Sequence, residues 1–298
     1  MVNLSKEQSV KIIEFIEENG LTQSMVKQYF NCKWKFYLKL SGLTFKCNSN
    51  KNTEFGTIVH IILEKWYKSR GLQFKNSKIL SNFINTISDK YDMFFRDDVD
   101  EKRKIFYTML AYFKIYENDF KNNEVLAIEK TFINNKFDQS GKIDLKYRNT
   151  KKNCIVIMDH KTKSRIEEDK LFEGLNLDFQ SLFYLLNEND TIQVIINVIR
   201  NSQKKSYDIS FYNEILREPE YYFKRYSITY TKKDISNFLT LWDKIKENIM
   251  DDIETLNIFP NFFHCTDNFK CEYLGYCYKK CKVNNNYEIK QFTYEELK

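Results

Sequence analysis

Two aspartates and a lysine near the middle of the chain could do chemistry together: Asp144 in Gly141-Lys142-Ile143-Asp144, and Asp159 and Lys161 in Met158-Asp159-His160-Lys161. Adjacent carboxylates repel, so one must hold a proton unless a cation lies between them. Carboxylate oxygens suit hard divalent cations such as Mg²⁺ or Mn²⁺. A lysine beside such an ion can orient or help deprotonate a water, or take up charge developing on a phosphate. Any single Asp-x-Lys is more often a solvated surface pair, so the elements that carry these residues decide the matter.

Those elements read as a hairpin. Lys142 to Arg148 is a β-rich run, Asn149 to Asn153 supplies turn chemistry, and Cys154 to Met158 is a short apolar run suited to a buried strand. Side chains two apart on a strand share a face, so Asp159 and Lys161 point the same way. A hairpin symmetric about Lys151-Lys152 places Asp144 opposite Asp159. Val125 to Phe132 adds a third strand carrying Glu129, either a sheet-surface charge or an accessory acid.

Helices are expected around this meander. Residues 5–19 form one, ended by Asn19-Gly20, and Thr22-Gln-Ser24 caps a second that runs to about Leu40 with Cys32 in its middle. Glu54 to Arg70 is amphipathic, and Gly56, His60 and Glu64 fall four apart on one stripe. His60 is either a satisfied helix histidine or a metal or phosphate contact. Residues 77–94 and 99–120 form a helical insertion. Asp178 to Asn187 carries Gln180 and Tyr184 four apart, Ile192 to Ile199 is a buried strand, Tyr221 to Tyr230 alternates and carries Arg225, and Lys232 to Leu256 is a long amphipathic helix.

Composition bounds the reading. Charged residues are 30% and hydrophobic ones 42%, ordinary for a soluble globular chain, and the net charge of +6 permits a polyanionic partner without demanding one. No run approaches the ~20 apolar residues of a membrane span, and the N-terminus lacks a signal peptide's apolar core. The expected setting is a reducing, cytoplasmic one, where clustered thiols point to metal rather than disulfides. Cys265, Cys271, Cys277 and Cys281 fall within 17 residues at spacings x5, x5 and x3, without the paired Cys-x-x-Cys of zinc ribbons. Iron–sulfur clusters accept such spacing and recruit distant thiolates, and Cys32 is the natural fourth ligand if only three of these four bind. Structural Zn²⁺ is the alternative. The tracts Lys151-Lys152, Lys161 to Lys163 and Lys204-Lys205, with Arg225, are candidate phosphate contacts.

The order Cys32, Gly56-x3-His60, Glu129, Gly141-x2-Asp144, Asp159-x-Lys161, Gln180-x3-Tyr184 and a terminal cysteine group resembles the PD-(D/E)xK nuclease superfamily. It is most similar to the RecB-like branch with an iron–sulfur cluster, which includes phage exonucleases and CRISPR-adaptation nucleases. The resemblance covers roughly residues 24–281. It implies an α/β fold with a restriction-endonuclease-like core, a mixed sheet flanked by helices, bearing a helical insertion and a C-terminal cysteine-cluster tail. Within one nuclease domain over 1–298, it places the Cys32 and His60 helices at 24–70, the insertion at 71–122, the catalytic sheet at 123–230, and the long helix and tail at 231–298.

By the same resemblance, Asp144, Asp159, His60 and the His160 carbonyl hold the divalent cation, Lys161 orients the attacking water, and Gln180 and Tyr184 hold the site and the DNA backbone. Cys32, Cys265, Cys271 and Cys277 bind a [4Fe–4S] cluster, with Cys281 a possible substitute for Cys277. The implied activity is Mg²⁺- or Mn²⁺-dependent DNA exonuclease action in recombination, repair or phage DNA processing. The implied substrate is DNA with free ends or single strands, with a helicase or recombinase as partner and no membrane. A catalytically inactive nuclease fold that binds DNA or a partner protein is the alternative.

Overall fold

Alternating side chains on the central strands feed two separate apolar layers. On one face, Ile157, Val194, Ile196, Tyr226 and Ile228 join a buried cluster; on the other, Val156, Met158, Ile199 and Phe223 join a second. A sheet apolar on both faces must be covered on both. The computed structural model describes residues 5–45, 51–91, 93, 95–166, 179–188, 190–204, 206–265, 271–277 and 287–289.

In chain order the N-terminal part is α1 (Lys6–Asn19), α2 (Gln23–Asn31), α3 (Lys33–Leu40), β1 (Leu43–Phe45), α4 (Lys51–Lys68), α5 (Ser77–Lys90), α6 (Val99–Ile115) and α7 (Asp119–Asn122). The sheet follows as β2 (Asn123–Asn134), β3 (Gln139–Asn149), β4 (Cys154–Lys163), α8 (Phe179–Asn187), β5 (Thr191–Arg200), α9 (Ile209–Arg217), α10 (Pro219–Tyr222) and β6 (Phe223–Thr229). Then come α11 (Lys232–Glu254), α12 (Leu274–Cys277) and β7 (Tyr287–Ile289). The five-stranded sheet has the order β2-β3-β4-β5-β6, with β4 and β5 parallel and the other pairs antiparallel. This is the expected restriction-endonuclease-like arrangement of a mixed sheet between helices. α1, α2, α3, α8 and α11 supply the first apolar layer, and α4, α5, α6 and α9 the second. No described helix is long and apolar enough to cross a membrane.

The hairpin register is the expected one: Asn149 pairs with Cys154 and Leu145 with Met158, centring the turn on Lys151-Lys152. One expectation is corrected. The helix read over 24–40 is two helices broken at Cys32, which adopts an extended backbone (φ −164, ψ 108) and caps both. Its N–H reaches the Gln28 carbonyl behind it, and its sulfur accepts the Lys35 N–H ahead.

Gly20 decides how α2 meets the sheet. The Ser5 hydroxyl caps α1 at one end, and Gly20 closes the other with φ +73. The next residue, Leu21, pairs with Gln139 at the start of β3: its N–H donates to the Asp138 carbonyl at 2.8 Å, and its carbonyl accepts the Ser140 N–H at 3.0 Å. A Cβ on residue 20 would lie 2.7 Å from the Gln139 carbonyl carbon. Left-handed strain and a backbone clash each cost on the order of 1–3 kcal/mol. Gly20→Ala should therefore destabilise the protein by about 2–3 kcal/mol in urea unfolding; a loss below about 0.5 kcal/mol would contradict the tight docking.

Candidate active site

β3 and β4 stop pairing at Leu145 and Met158, although β3 continues back along β2 to Gln139 and β4 continues along β5 to Lys163. Asp144 and Asp159 are the first residues beyond the last pair. The parting is visible in the packing: Ile143 enters the first apolar layer while Leu145, two residues on, enters the second. In a regular strand these two would share a face. The His160 N–H spans the gap, donating to Asp144 Oδ2 at 2.7 Å. The opening is a cleft of about 610 Å³ lined by residues of α2, α4, β2, β3, β4 and α8.

His60, on α4, sits above this gap. Its Nε2 lies 3.1 Å from the His160 carbonyl, which can only accept, so Nε2 carries a proton. That leaves Nδ1 facing Asp144 Oδ1 at 3.6 Å and Glu129 Oε1 at 3.7 Å. Gly56, one turn earlier, keeps α4 close to β4: a Cβ there would meet the Thr162 hydroxyl at 3.0 Å. Glu129 lies opposite Asp144 by the register of β2 against β3 and has left-handed backbone (φ 48) inside a strand. Such non-glycine outliers cost energy and gather at functional sites. Its other oxygen is held by Lys142 at 2.7 Å.

Asp159 and Lys161 project toward α8, on the opposite face from the His160 ring. Lys161 Nζ is 2.9 Å from Asp159 Oδ2 and donates to Gln180 Oε1 at 2.7 Å. Gln180 Nε2 donates to Asp159 Oδ1 at 3.2 Å and to the Tyr184 hydroxyl at 2.7 Å. The cleft thus brings together His60, Glu129, Asp144, Asp159, His160, Lys161, Gln180 and Tyr184. Among the described residues, His60, Glu129 and Asp144 form the group whose donor atoms all lie within 4.8 Å of one another. Asp159 stands beside that trio in the grip of Lys161 and Gln180.

The electrostatics suit a cation. Like charges about 4 Å apart near a protein surface repel by about 4 kcal/mol. Burial, with Asp159 and Glu129 adding, holds the Asp144 carboxyl well above the usual range against the pull of His60. Burial works to lower the His60 imidazole, but Asp144, Glu129 and Asp159 outweigh it and raise it to about 9. Burial likewise works to raise Glu129, yet His60 and Lys142 bring it below its ordinary value. The donor set of carboxylate oxygens plus one imidazole nitrogen fits Mg²⁺ or, better, Mn²⁺.

Other candidates lie elsewhere. Arg225 is not on the cleft; its guanidinium pairs with Asp119 at 2.7 and 2.9 Å behind the sheet. Lys151 and Lys152 are exposed at the far end of the hairpin, Lys163 is on the cleft rim, Lys204 pairs with Glu214, and Lys205 lies outside the described residues. Near α3, Cys32 Sγ accepts the Asn261 N–H at 3.3 Å and the Cys271 N–H donates to the Cys265 carbonyl at 3.1 Å. Burial and the neighbouring thiols Cys271, Cys265 and Cys32 push the Cys277 thiol up to about 11. Among the described residues no three of these sulfurs come within 4.8 Å of one another. Cys281 and Cys47 lie outside the described residues. Lys142 was not singled out from the sequence, although a basic residue two before Asp144 on one strand was a usable signal.

A family model, the PD-(D/E)XK nuclease superfamily, matches residues 20–278. The chain belongs to that superfamily, and a metal-dependent nuclease is the class its fold and cleft define. No curated protein matches the chain.

Metal binding should be proton-coupled. Asp144 and His60 both keep protons to higher pH than usual, and a metal ion needs them deprotonated, so binding releases protons and weakens as pH falls. Mn²⁺ affinity measured by calorimetry should rise with pH up to about 9, with buffer-dependent heats showing proton release. A pH-independent affinity would exclude His60 as a ligand.

Proposed function

We propose that the protein is a Mg²⁺- or Mn²⁺-dependent deoxyribonuclease that digests DNA from free ends. The observation that carries this is the parting of β3 and β4, which sets Asp144 and Asp159 beside the His60 imidazole and the Lys161 ammonium in one cleft. His60, Asp144 and Glu129 would hold the cation, and Asp159 would join them in exchange for its contact with Lys161. The cation, when bound, supplies Lewis acidity to a phosphate oxygen and makes water a stronger nucleophile. Lys161, steadied by Gln180, then serves the nucleophile or the charge on phosphate. Tyr184 and Gln180 fix the far wall of the cleft. End-labelled single- and double-stranded DNA, digested across a Mn²⁺ titration, tests this. Asp159→Ala should lower the rate by at least ~10³-fold with the melting temperature kept, since the metal and the lysine both lose their partner. Retained cleavage in that variant would overturn the reading.

A [4Fe–4S] cluster on Cys32, Cys265, Cys271 and Cys277 is part of the same proposal. The Asn261 N–H on the Cys32 sulfur is the kind of donor that tunes such clusters. Anaerobically purified protein should be brown, with broad absorbance near ~400 nm as thiolate-bound iron gives, and Cys271→Ala should lose both the colour and several degrees of melting temperature. A colourless protein carrying stoichiometric zinc would replace the cluster by the metal. The family resemblance supports a place for the protein in recombination, repair or phage DNA processing, with a helicase or recombinase as partner.

A further inference from the structure

The other face of the catalytic strand carries a polar row. His160 on β4 is in register with Asn197 on β5, and Asn197 with Arg225 on β6. Three laterally adjacent residues of a sheet therefore present polar side chains into the layer formed by α4, α6 and α7. Arg225 Nε donates to Asn197 Oδ1 at 3.2 Å, and its two terminal nitrogens close on Asp119. Because a guanidinium only donates, the Asn197 oxygen must face it, and the Asn197 amide nitrogen must face His160 Nδ1, at 2.8 Å. The same nitrogen donates to the Tyr112 hydroxyl at 3.1 Å. Asn197 is fully buried, at 0% exposure, so none of this is a surface accident.

We propose that Asn197, locked by the Arg225–Asp119 pair, is a positioning residue for the metal site. It fixes the His160 ring, and thereby the two peptide groups around it. Those groups are what the cleft hangs on: the His160 N–H holds Asp144, and the His160 carbonyl holds His60. One residue thus orients a carboxylate and an imidazole, neither of which Asn197 touches. The row also ties the α6–α7 region to the cleft, since Asp119 opens α7 and Tyr112 lies on α6. Outer-sphere partners of metal ligands are worth 10–100-fold in affinity or activity. The kinetic part of this inference rests on the nuclease reading; the metal-binding part does not.

The test compares wild type with Asn197→Leu, close in size but unable to hydrogen-bond, and with the double variant Asp119→Leu/Arg225→Met, which removes the ion pair without leaving a lone buried charge. Mn²⁺ binding to the metal-free full-length protein is measured by calorimetry, and digestion of end-labelled DNA is measured at saturating Mn²⁺. Asn197→Leu should weaken Mn²⁺ binding at least tenfold and lower kcat by a similar factor with KM for DNA within twofold. The double variant should weaken Mn²⁺ binding at least threefold, and it carries the test if Asn197→Leu does not fold. Mn²⁺ affinity within twofold of wild type in a folded variant overturns the proposal, as does a change confined to melting temperature. If wild type cuts no DNA, the nuclease reading fails, and the Mn²⁺ affinities alone still decide this one.

Discussion

The cleft depends on two strands that pair for five residues and then separate. While β3 and β4 are hydrogen-bonded, side chains on one face lie within reach only of their neighbours on that face. Once the strands part at Asp144 and Asp159, the backbone of β4 is free to serve as scaffolding: its amide at His160 holds one carboxylate and its carbonyl holds an imidazole. α4 can then lower His60 into the gap because Gly56 keeps it close to Thr162. Without the separation, Asp144 and Asp159 would be an ordinary cross-strand acid pair, repelling each other on a packed sheet.

That same separation gathers three carboxylates, and the surrounding sequence answers each with a cation. Glu129 has Lys142, Asp159 has Lys161, and Asp144 has His60. The balance keeps the metal-free fold intact, since uncompensated charges so close would cost several kcal/mol. Each acid of the cleft therefore has a cationic partner from the chain itself.

Much of this could be read from the residues. The hairpin register followed from a symmetric polar turn, Asn149 to Asn153, between two β-rich runs, and it placed Asp144 across from Asp159. Gln180 and Tyr184 shared a helix face by spacing alone. The break at Cys32 could not be seen, because Asn31, Lys33 and Trp34 include no glycine or proline; it is a tertiary effect, with the extended backbone at Cys32 held by contacts to Gln28, Lys35 and Asn261. Arg225 was misplaced because alternation assigns a face but not what covers it, and here the cover is the insertion carrying Tyr112 and Asp119. Asn197 offered a signal that went unused: one amide in the run Val194-Ile-Ile-Asn197-Val-Ile, where a buried strand should be wholly apolar. Glu129 reads as either a sheet-surface charge or an accessory acid, and its left-handed backbone is a feature that no pattern of residue types announces.

α2 begins at the lip of the cleft, where Thr22, Gln23 and Ser24 form part of its wall, and ends at Cys32, whose backbone N–H closes it on the Gln28 carbonyl. Nine residues at 1.5 Å each make a rod about 13 Å long, stiffened by continuous backbone bonding. A change in the setting of Cys32 therefore acts at one end of a stiff element whose other end forms part of the cleft wall.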